Sequence, residues 1–279
     1  MRLVGVGGIE LEVHDVGIGD PVVLVQTALT ADELVPLAEH LISRGAYRAI
    51  VYHRRGYASS NPVQGPGSVV RDAADCRDLI VALGLGRVHI VGYSYSGAVG
   101  LQFAADHAEH VQTLTLIEPP PVHVPSSAEF RAANARLQEA RRVRGPGTAL
   151  EEFLTRVIGP DWRTEVEQRL PGAAEQMQRD TTTFFDTDLP ALLSWRFDAE
   201  DAHRVNCPVL HVSGSGSGPW FAEVRDLILT WLPQAEDVLI TGADHSLGLT
   251  HAPQIADALA DFLGRHAVLT GGGLDWPCK

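Results

Sequence analysis

Cysteine, positive charge and long apolar runs are all scarce in this sequence. The three cysteines, Cys76, Cys207 and Cys278, are widely spaced and odd in number, which excludes a disulfide framework and a metal-binding CxxC pair. We expect reduced thiols in a cytoplasmic protein. No run of about 18 apolar residues occurs, and the N-terminal segment has no signal-peptide pattern. The sequence therefore predicts neither a membrane span nor a secretory signal.

The charge balance bears on the class of partner. Acidic residues outnumber basic residues by 35 to 22, which gives a formal charge of −13 at pH 7. Nucleic acids and anionic membranes bind basic surfaces that replace their counterions, so neither is expected as a partner. With 45% hydrophobic residues over 279 positions, the chain is able to bury a full core, which excludes a disordered protein. Length alone leaves one or two domains.

Short β-branched runs alternate with amphipathic stretches through the first part of the chain. Strands are predicted at residues 9–13, 21–25, 47–52, 88–91 and 111–117, and helices between them at residues 30–44, 71–85 and 97–107. Repeated strand–helix–strand units predict an α/β fold, with a mostly parallel central sheet flanked by helices on both faces.

This alternation stops at Pro119, Pro120 and Pro121, which neither continue a helix nor donate to a sheet. The segment after them is charged and helix-like, and we interpret it as a cap inserted into the sheet domain. Strand patterns resume at residues 208–212 and 237–241, with helices at 221–232 and 253–266. The predicted organisation is a core of residues 1–122 and 205–270, a helical cap of residues 123–204 and a loose tail of residues 271–279.

The most informative motif is VHIVGYSYSG at residues 88–97, where a buried strand leads through GYSYSG into a helix. In this context a GxSxG-type turn holds its central serine, here Ser94, in a strained conformation with the hydroxyl above the sheet edge. Small flanking residues let strand and helix approach each other, and Ser96 stands where the motif has its second glycine. The alternative is an ordinary strand-to-helix turn with a capping serine.

A nucleophilic serine needs an imidazole to take its proton. His245 lies in the loop between the predicted strand at 237–241 and the last helix, which is where such a base is expected. His251 is a weaker candidate because it lies nearer the helix. His107 and His110 have a spacing that mimics a metal pair, but their surroundings indicate surface residues.

Two carboxylates are candidates for the acid that orients this imidazole. The commonest arrangement places the acid after the strand at 208–212, but the loop there reads SGSGSG and contains no carboxylate. Glu118 follows the strand at 111–117, at the sheet edge where catalytic groups gather in open parallel sheets. It is the preferred candidate, although a glutamate that merely begins a surface loop is the plainer interpretation. Asp244 is the alternative, but an immediate neighbour of the base seldom has the geometry to accept from its ring.

Over nearly its whole length the chain resembles an α/β-hydrolase. The order Ser94, Glu118, His245 is the nucleophile–acid–base order of that superfamily, and YHRRGYASS at residues 52–60 is similar to the loop after its fourth strand. An acid after the sixth strand resembles a subset that includes the zearalenone-type lactonases and, with a different nucleophile, some haloalkane dehalogenases. Ser94 in place of aspartate argues against dehalogenation.

The resemblance also implies an oxyanion hole made by the backbone N–H groups of Ala28 and Tyr95. The family usually has His-Gly after its third strand, whereas this chain has Gln26-Thr27. Loop conformation matters more than side-chain identity for such a donor, but the missing glycine removes a residue that adopts positive φ readily.

The predicted function is a serine hydrolase that cleaves a small apolar carboxylic ester or lactone through an acyl-enzyme, with Ser94, His245 and Glu118 as catalytic residues. Phe184, Phe185, Trp195 and Trp220 are candidates for an acyl pocket, and ordinary apolar core is an equal interpretation for them. Hydrolysis of carbon–carbon bonds on the same scaffold and slow or non-catalytic ligand binding remain alternatives. No cofactor or metal motif occurs, the expected partner is a small-molecule substrate, and a homodimer is left open.

Overall fold

Eight strands form one sheet in the computed structural model, which describes residues 1–268. The strands are β1 (Arg2–Val6), β2 (Ile9–Gly17), β3 (Asp20–Val25), β4 (Tyr47–Tyr52), β5 (Val88–Tyr93), β6 (Val111–Ile117), β7 (Val209–Gly214) and β8 (Ala235–Ile240). Their spatial order is β1-β2-β4-β3-β5-β6-β7-β8. The β1–β2 and β2–β4 pairs are antiparallel and the other pairs are parallel, so the predicted α/β class with a mostly parallel sheet is confirmed.

Helices cover both faces of this sheet, and further helices form the segment between β6 and β7. In chain order the helices are α1 (Val35–Ile42), α2 (Val69–Ala82), α3 (Tyr95–Asp106), α4 (Ser127–Arg144), α5 (Pro146–Val157), α6 (Trp162–Arg169), α7 (Ala173–Arg179), α8 (Thr181–Thr183), α9 (Leu189–Ser194), α10 (Ala199–Ala202), α11 (Pro219–Trp231), α12 (Leu247–Thr250) and α13 (Ala252–Gly264). Short 3₁₀ and π-helical turns occupy Ala108–His110 and Phe184–Asp188. Leu79 of α2 and Val99 of α3 are buried on one face, while Leu41 of α1 and Leu259 of α13 are buried on the other.

The segment between β6 and β7 is helical from α4 to α10 and has an apolar cluster of its own. Trp162, Met177 and Phe185 lie fully or almost fully buried in this cluster, which is separate from the two clusters on the sheet. We use the name cap for residues 123–204, and the boundaries of that unit stay a prediction. The predicted tail and Cys278 lie outside the described residues, whereas Cys76 and Cys207 are free, buried thiols.

No helix within residues 1–268 is both long and apolar enough to cross a membrane. The N-terminal strand β1 is absent from the sequence-based prediction. It is a short edge strand in which only Val4 and Val6 are buried, so its alternation extends over too few residues to be recognised without its partner β2.

The parallel strands bring five loops to one edge of the sheet. Ala28 follows β3, Arg54 follows β4, Ser94 follows β5, Glu118 follows β6, and His245 follows β8. Because the carboxyl ends of parallel strands meet at the same edge, residues far apart in sequence become neighbours there.

Gly92 is required by the close approach of β5 to the start of α3. A Cβ atom at this position would lie 2.3 Å from the backbone oxygen of Ser96, whereas a Cβ at Gly86 would have no atom within 4 Å. We therefore expect Gly92→Ala to lower the free energy of unfolding by about 1–3 kcal/mol or more, and Gly86→Ala to leave it nearly unchanged. Urea unfolding measures the free energy of unfolding of both variants, and equal stability of the two would contradict the packing argument.

Candidate active site

Ser94 sits in a strained turn between β5 and α3. Its φ is +51°, a left-handed conformation that favours glycine, so the surrounding contacts must hold it there. The N–H of Ser94 donates to the carbonyl of Ile117 (3.0 Å), and the hydroxyl of Ser96 both donates to the carbonyl and accepts from the N–H of Tyr93 (2.9 Å each). Ser96, at the position of the motif's second glycine, thus closes the turn with its side chain.

The structure brings Ser94, His245 and Glu118 together. The hydroxyl of Ser94 lies 3.0 Å from Nε2 of His245, and Nδ1 of the same ring lies 2.7 Å from Oε2 of Glu118. The other carboxylate oxygen of Glu118 accepts from the N–H of Gly214 (2.8 Å), and the side chain is fully buried. These contacts form one continuous hydrogen-bonded chain from hydroxyl to carboxylate.

The other candidates for base and acid face elsewhere. Asp244 accepts from the N–H of Ser246 (2.9 Å), and the ring of His251 contacts the hydroxyl of Thr250 (2.8 Å). A short helical turn separates His251 from His245, as expected from its position in sequence.

Two aromatic residues fix the ring of His245. Phe221 stacks on it with a centroid distance of 4.1 Å and an interplanar angle of 19°, and Tyr93 lies 5.5 Å away on a tilted plane. The phenol of Tyr93 also donates to the carbonyl of His245. Sequence reasoning missed Phe221, because its helix position shows only an apolar residue and not what that residue covers.

Ala28 and Tyr95, whose backbone amides are the predicted oxyanion donors, line the same cavity as Ser94. Among the described residues, neither amide has a hydrogen-bond acceptor in the protein. Thr27, which replaces the expected glycine, does not adopt a positive φ, and the strained position of this loop is Leu29 with φ +70°. The N–H of Leu29 donates to the hydroxyl of Tyr57 (3.0 Å), so Ala28 presents the free amide.

A buried guanidinium lies beneath this loop. Arg54 is 3% exposed and contacts Asp72 at 2.9 Å and Asp188 at 2.6 Å. It also donates to the carbonyls of Gln26 (3.0 Å) and Thr27 (3.2 Å), immediately before Ala28. One cation therefore joins the loop after β3, helix α2 and the π-helical turn of the cap.

Two tyrosines extend this network to the site. Tyr57 donates to Asp188 (2.6 Å), and Tyr95 donates to Asp72 (2.9 Å) while its ring lies 4.2 Å below the guanidinium of Arg54. Burial raises the pKa of Asp72 to about 6, against the opposing effect of the guanidinium. The YHRRGYASS stretch, which contains Arg54, is the one sequence signal for this network.

A cavity of about 380 Å³ opens onto Ser94 between the sheet edge and the cap. Its walls are mainly apolar and include Phe130, Leu137, Phe153, Leu154, Phe184, Leu189, Leu192, Trp220 and Phe221. Phe184 and Trp220 therefore line the cavity, whereas Phe185 and Trp195 do not. Phe185 is buried in the cap cluster, and the indole of Trp195 donates to Gln102 (2.8 Å) in the apolar core.

Besides Asp188, three side chains in the cavity wall with acidic or basic groups were not anticipated from sequence. They are Glu33 in the turn before α1, Arg136 on α4 and Arg156 on α5. None of the three has an ion-pair or side-chain hydrogen-bond partner within residues 1–268. In the sequence the two arginines are indistinguishable from the solvated face of an amphipathic helix.

Comparisons with known proteins agree with the fold. A family model for the α/β-hydrolase fold matches residues 21–151. A putative carbamate hydrolase from Caulobacter sp. strain K31 is 28% identical over 220 residues, covering 74% of this chain and 76% of the relative. The 2-hydroxy-6-oxo-6-(2'-aminophenyl)hexa-2,4-dienoic acid hydrolase of Metapseudomonas resinovorans is 23% identical, covering 96% and 92%. A thermophilic esterase structure from Thermogutta terrifontis superposes with a TM-score of 0.80 at 23% identity, covering 96% and 99%.

Replacing Arg54 is expected to leave two buried carboxyl groups without their cation. We predict that Arg54→Met lowers the free energy of unfolding by about 3–5 kcal/mol, because removing one partner strands the others in a low-dielectric interior. The control is Arg87→Met, at an exposed arginine with no hydrogen-bond partner in the described part of the chain, which should change little. Chemical denaturation compares the two, and similar midpoints would refute the role of Arg54.

Proposed function

We propose that this chain, which belongs to the α/β-hydrolase superfamily, is a serine hydrolase that cleaves a small apolar carboxylic ester or lactone through an acyl-enzyme. The observation that carries the proposal is the unbroken hydrogen-bonded chain Ser94–His245–Glu118, at 3.0 and 2.7 Å. Ala28 and Tyr95 line the same cavity, and their backbone amides have no acceptor within residues 1–268. This is the geometry by which a serine hydroxyl becomes a nucleophile.

In the acylation step the hydroxyl oxygen of Ser94 attacks the carbonyl carbon of the substrate, and Nε2 of His245 takes the hydroxyl proton. Negative charge develops on the carbonyl oxygen, where the amides of Ala28 and Tyr95 donate hydrogen bonds to it. Glu118 stabilises the imidazolium through Nδ1. The imidazolium then protonates the leaving alkoxide, and the C–O bond of the ester or lactone breaks.

Deacylation repeats this chemistry with water as the nucleophile. His245 removes a proton from a water molecule, the resulting hydroxide attacks the acyl carbon, and the proton returns to Ser94 as the acid leaves. Throughout the cycle Glu118 keeps its negative charge, to which the N–H of Gly214 contributes a hydrogen bond.

The cavity supports a small substrate with a largely hydrocarbon body. A volume of about 380 Å³ lies near the lower end of the range for small-molecule sites, and its aromatic and leucine side chains favour apolar groups. Polymeric substrates do not suit such a site.

A second candidate is hydrolysis of a carbon–carbon bond next to a carbonyl. The relative from Metapseudomonas resinovorans is named for an acid substrate. Arg136 and Arg156 in the cavity wall have no ion-pair partner in the described part of the chain and would suit a carboxylate. Product analysis with a 1,3-diketone beside a p-nitrophenyl ester separates the two reactions.

Ser94→Ala tests the nucleophile directly. We expect kcat/KM for p-nitrophenyl esters to fall at least about a thousandfold and covalent labelling by a fluorophosphonate to disappear, because no hydroxyl remains beside His245. Ser246→Ala is the matched control, since Ser246 lines the same cavity but donates to Asp244, and it should label like the wild type. Undiminished labelling of Ser94→Ala, or none in the wild type, would overturn the proposal.

Glu118→Gln tests the acid after β6. The amide has the same shape but cannot hold an imidazolium, so we expect kcat to fall by about 10⁴-fold while the protein stays folded. Asp244→Asn removes the carboxylate adjacent to His245 in sequence and should retain most of the activity. Steady-state kinetics, with circular dichroism as a folding check, decides which carboxylate is the acid. A greater loss of kcat in Asp244→Asn than in Glu118→Gln would assign the acid to Asp244.

A further inference from the structure

Glu33 presents its carboxyl group to the cavity that Ser94 and His245 also line. The residue is 9% exposed, and its carboxyl has no hydrogen-bond or ion-pair partner among residues 1–268. The preceding carboxylate, Asp32, behaves differently, because it is partly exposed and contacts the ring of His53 at 2.8 Å. Glu33 is thus a polar group placed where the fold itself makes no use of it.

A carboxyl group that faces a mainly apolar cavity and has no partner among residues 1–268 is available to a polar atom of a bound ligand. Burial also raises the pKa of Glu33 to about 8, which leaves the carboxyl uncharged at neutral pH. An uncharged carboxyl has one O–H donor, in a wall that is otherwise mainly apolar.

We propose that Glu33 is a specificity-determining residue that donates a hydrogen bond to an oxygen atom of the substrate distant from the scissile carbonyl. In the proposed mechanism the amides of Ala28 and Tyr95 bind the scissile carbonyl and His245 protonates the leaving group. A hydrogen bond from Glu33 would therefore go to a different atom of the substrate. The preferred substrates are then oxo-, hydroxy- or alkoxy-substituted esters, or the corresponding lactones. This inference rests on the proposed esterase function and names its substrate class.

The other titratable and charged groups that line the cavity come from several elements. They are Tyr93 on β5, Tyr95 on α3, Asp188 in the π-helical turn, Arg136 on α4, Arg156 on α5 and His245 after β8. Asp188 is held by Arg54, Tyr95 donates to Asp72, and the pKa of the Tyr93 phenol is raised chiefly by burial and also by the nearby Glu33. None of the six forms an ion pair with Glu33 in the described residues.

The test is an oxygen scan of the acyl chain. In a series of p-nitrophenyl hexanoates, one methylene at a time is replaced by an ether oxygen, which preserves the shape of the chain. We expect one position of oxygen to raise kcat/KM over the hydrocarbon parent by about three- to tenfold in the wild type and in Glu33→Gln, which keeps a donor. Glu33→Leu, which has no donor, should lose this preference.

The pH dependence of the preference separates hydrogen bonding from packing. As pH rises through about 8 the wild-type carboxyl loses its proton and its donor, so the preference for the ether should fall. In Glu33→Gln it should stay constant over the same range. Asp32→Asn, at the exposed neighbouring carboxylate, should keep the wild-type preference and its pH dependence. Glu33→Leu removes no hydrogen bond within the protein, so its Tm should equal or exceed that of the wild type.

A binding measurement keeps this inference separate from the proposed function. Ser94→Ala protein is titrated with the same ether and hydrocarbon esters, and the fluorescence of Trp220 in the cavity wall reports the Kd of each. Tighter binding of one ether that disappears in Ser94→Ala/Glu33→Leu supports the role of Glu33 even if the wild type cleaves no ester. Equal Kd values for every ether and its parent, or tighter binding of an ammonium-bearing ester, would overturn it.

Discussion

The contacts of one buried guanidinium determine the shape of the site. Arg54 binds Asp72 of α2 and Asp188 of the cap while donating to the backbone just before Ala28. The loop after β3, the sheet domain and the cap are therefore positioned by the same group. Taking three charged side chains out of water is costly, and this cost is offset only when every donor and acceptor has a well-placed partner. Such an arrangement tolerates little displacement, which suits a group that must hold a backbone amide in place.

This network also explains how the loop forms without the glycine that the family resemblance leads us to expect after β3. Its positive φ falls on Leu29 instead of Thr27, and a leucine in that conformation needs external support. The support is the hydroxyl of Tyr57, which accepts from the amide of Leu29 and donates to Asp188. A side-chain network anchored by Arg54 thus replaces the conformational freedom of glycine, and Ser96 plays a comparable part in the turn of Ser94.

Features of the fold set by local periodicity were predictable from sequence, and features set by distant pairing were not. The parallel strands and most helices follow from apolar patterns. Ser94 follows from the GYSYSG turn, His245 from its loop before the last helix, and Glu118 from the sheet edge at which parallel strands end. Asp188 lies 134 residues from Arg54 in a cap segment without a distinctive motif, so their ion pair has no local signal. Glu33 was missed for a related reason, because a glutamate before an amphipathic helix is usually solvated and its burial depends on contacts that are distant in sequence.

The position of the proposed acid follows from the end of β7 and the loop after it. Gly214, the last residue of β7, donates its N–H to Glu118, and a Cβ atom there would lie 2.4 Å from the backbone oxygen of Ala243, close to His245 in sequence. A loop packed so tightly against the segment that carries His245 leaves little room for a side chain at this position. A carboxylate on the neighbouring strand β6 reaches the same imidazole from the side, and the positive φ of Glu118 turns the backbone where the strand ends. The Ser-Gly loop therefore contributes a backbone donor where a carboxylate is commonly found, and this donor stabilises the charge of the carboxylate that β6 supplies.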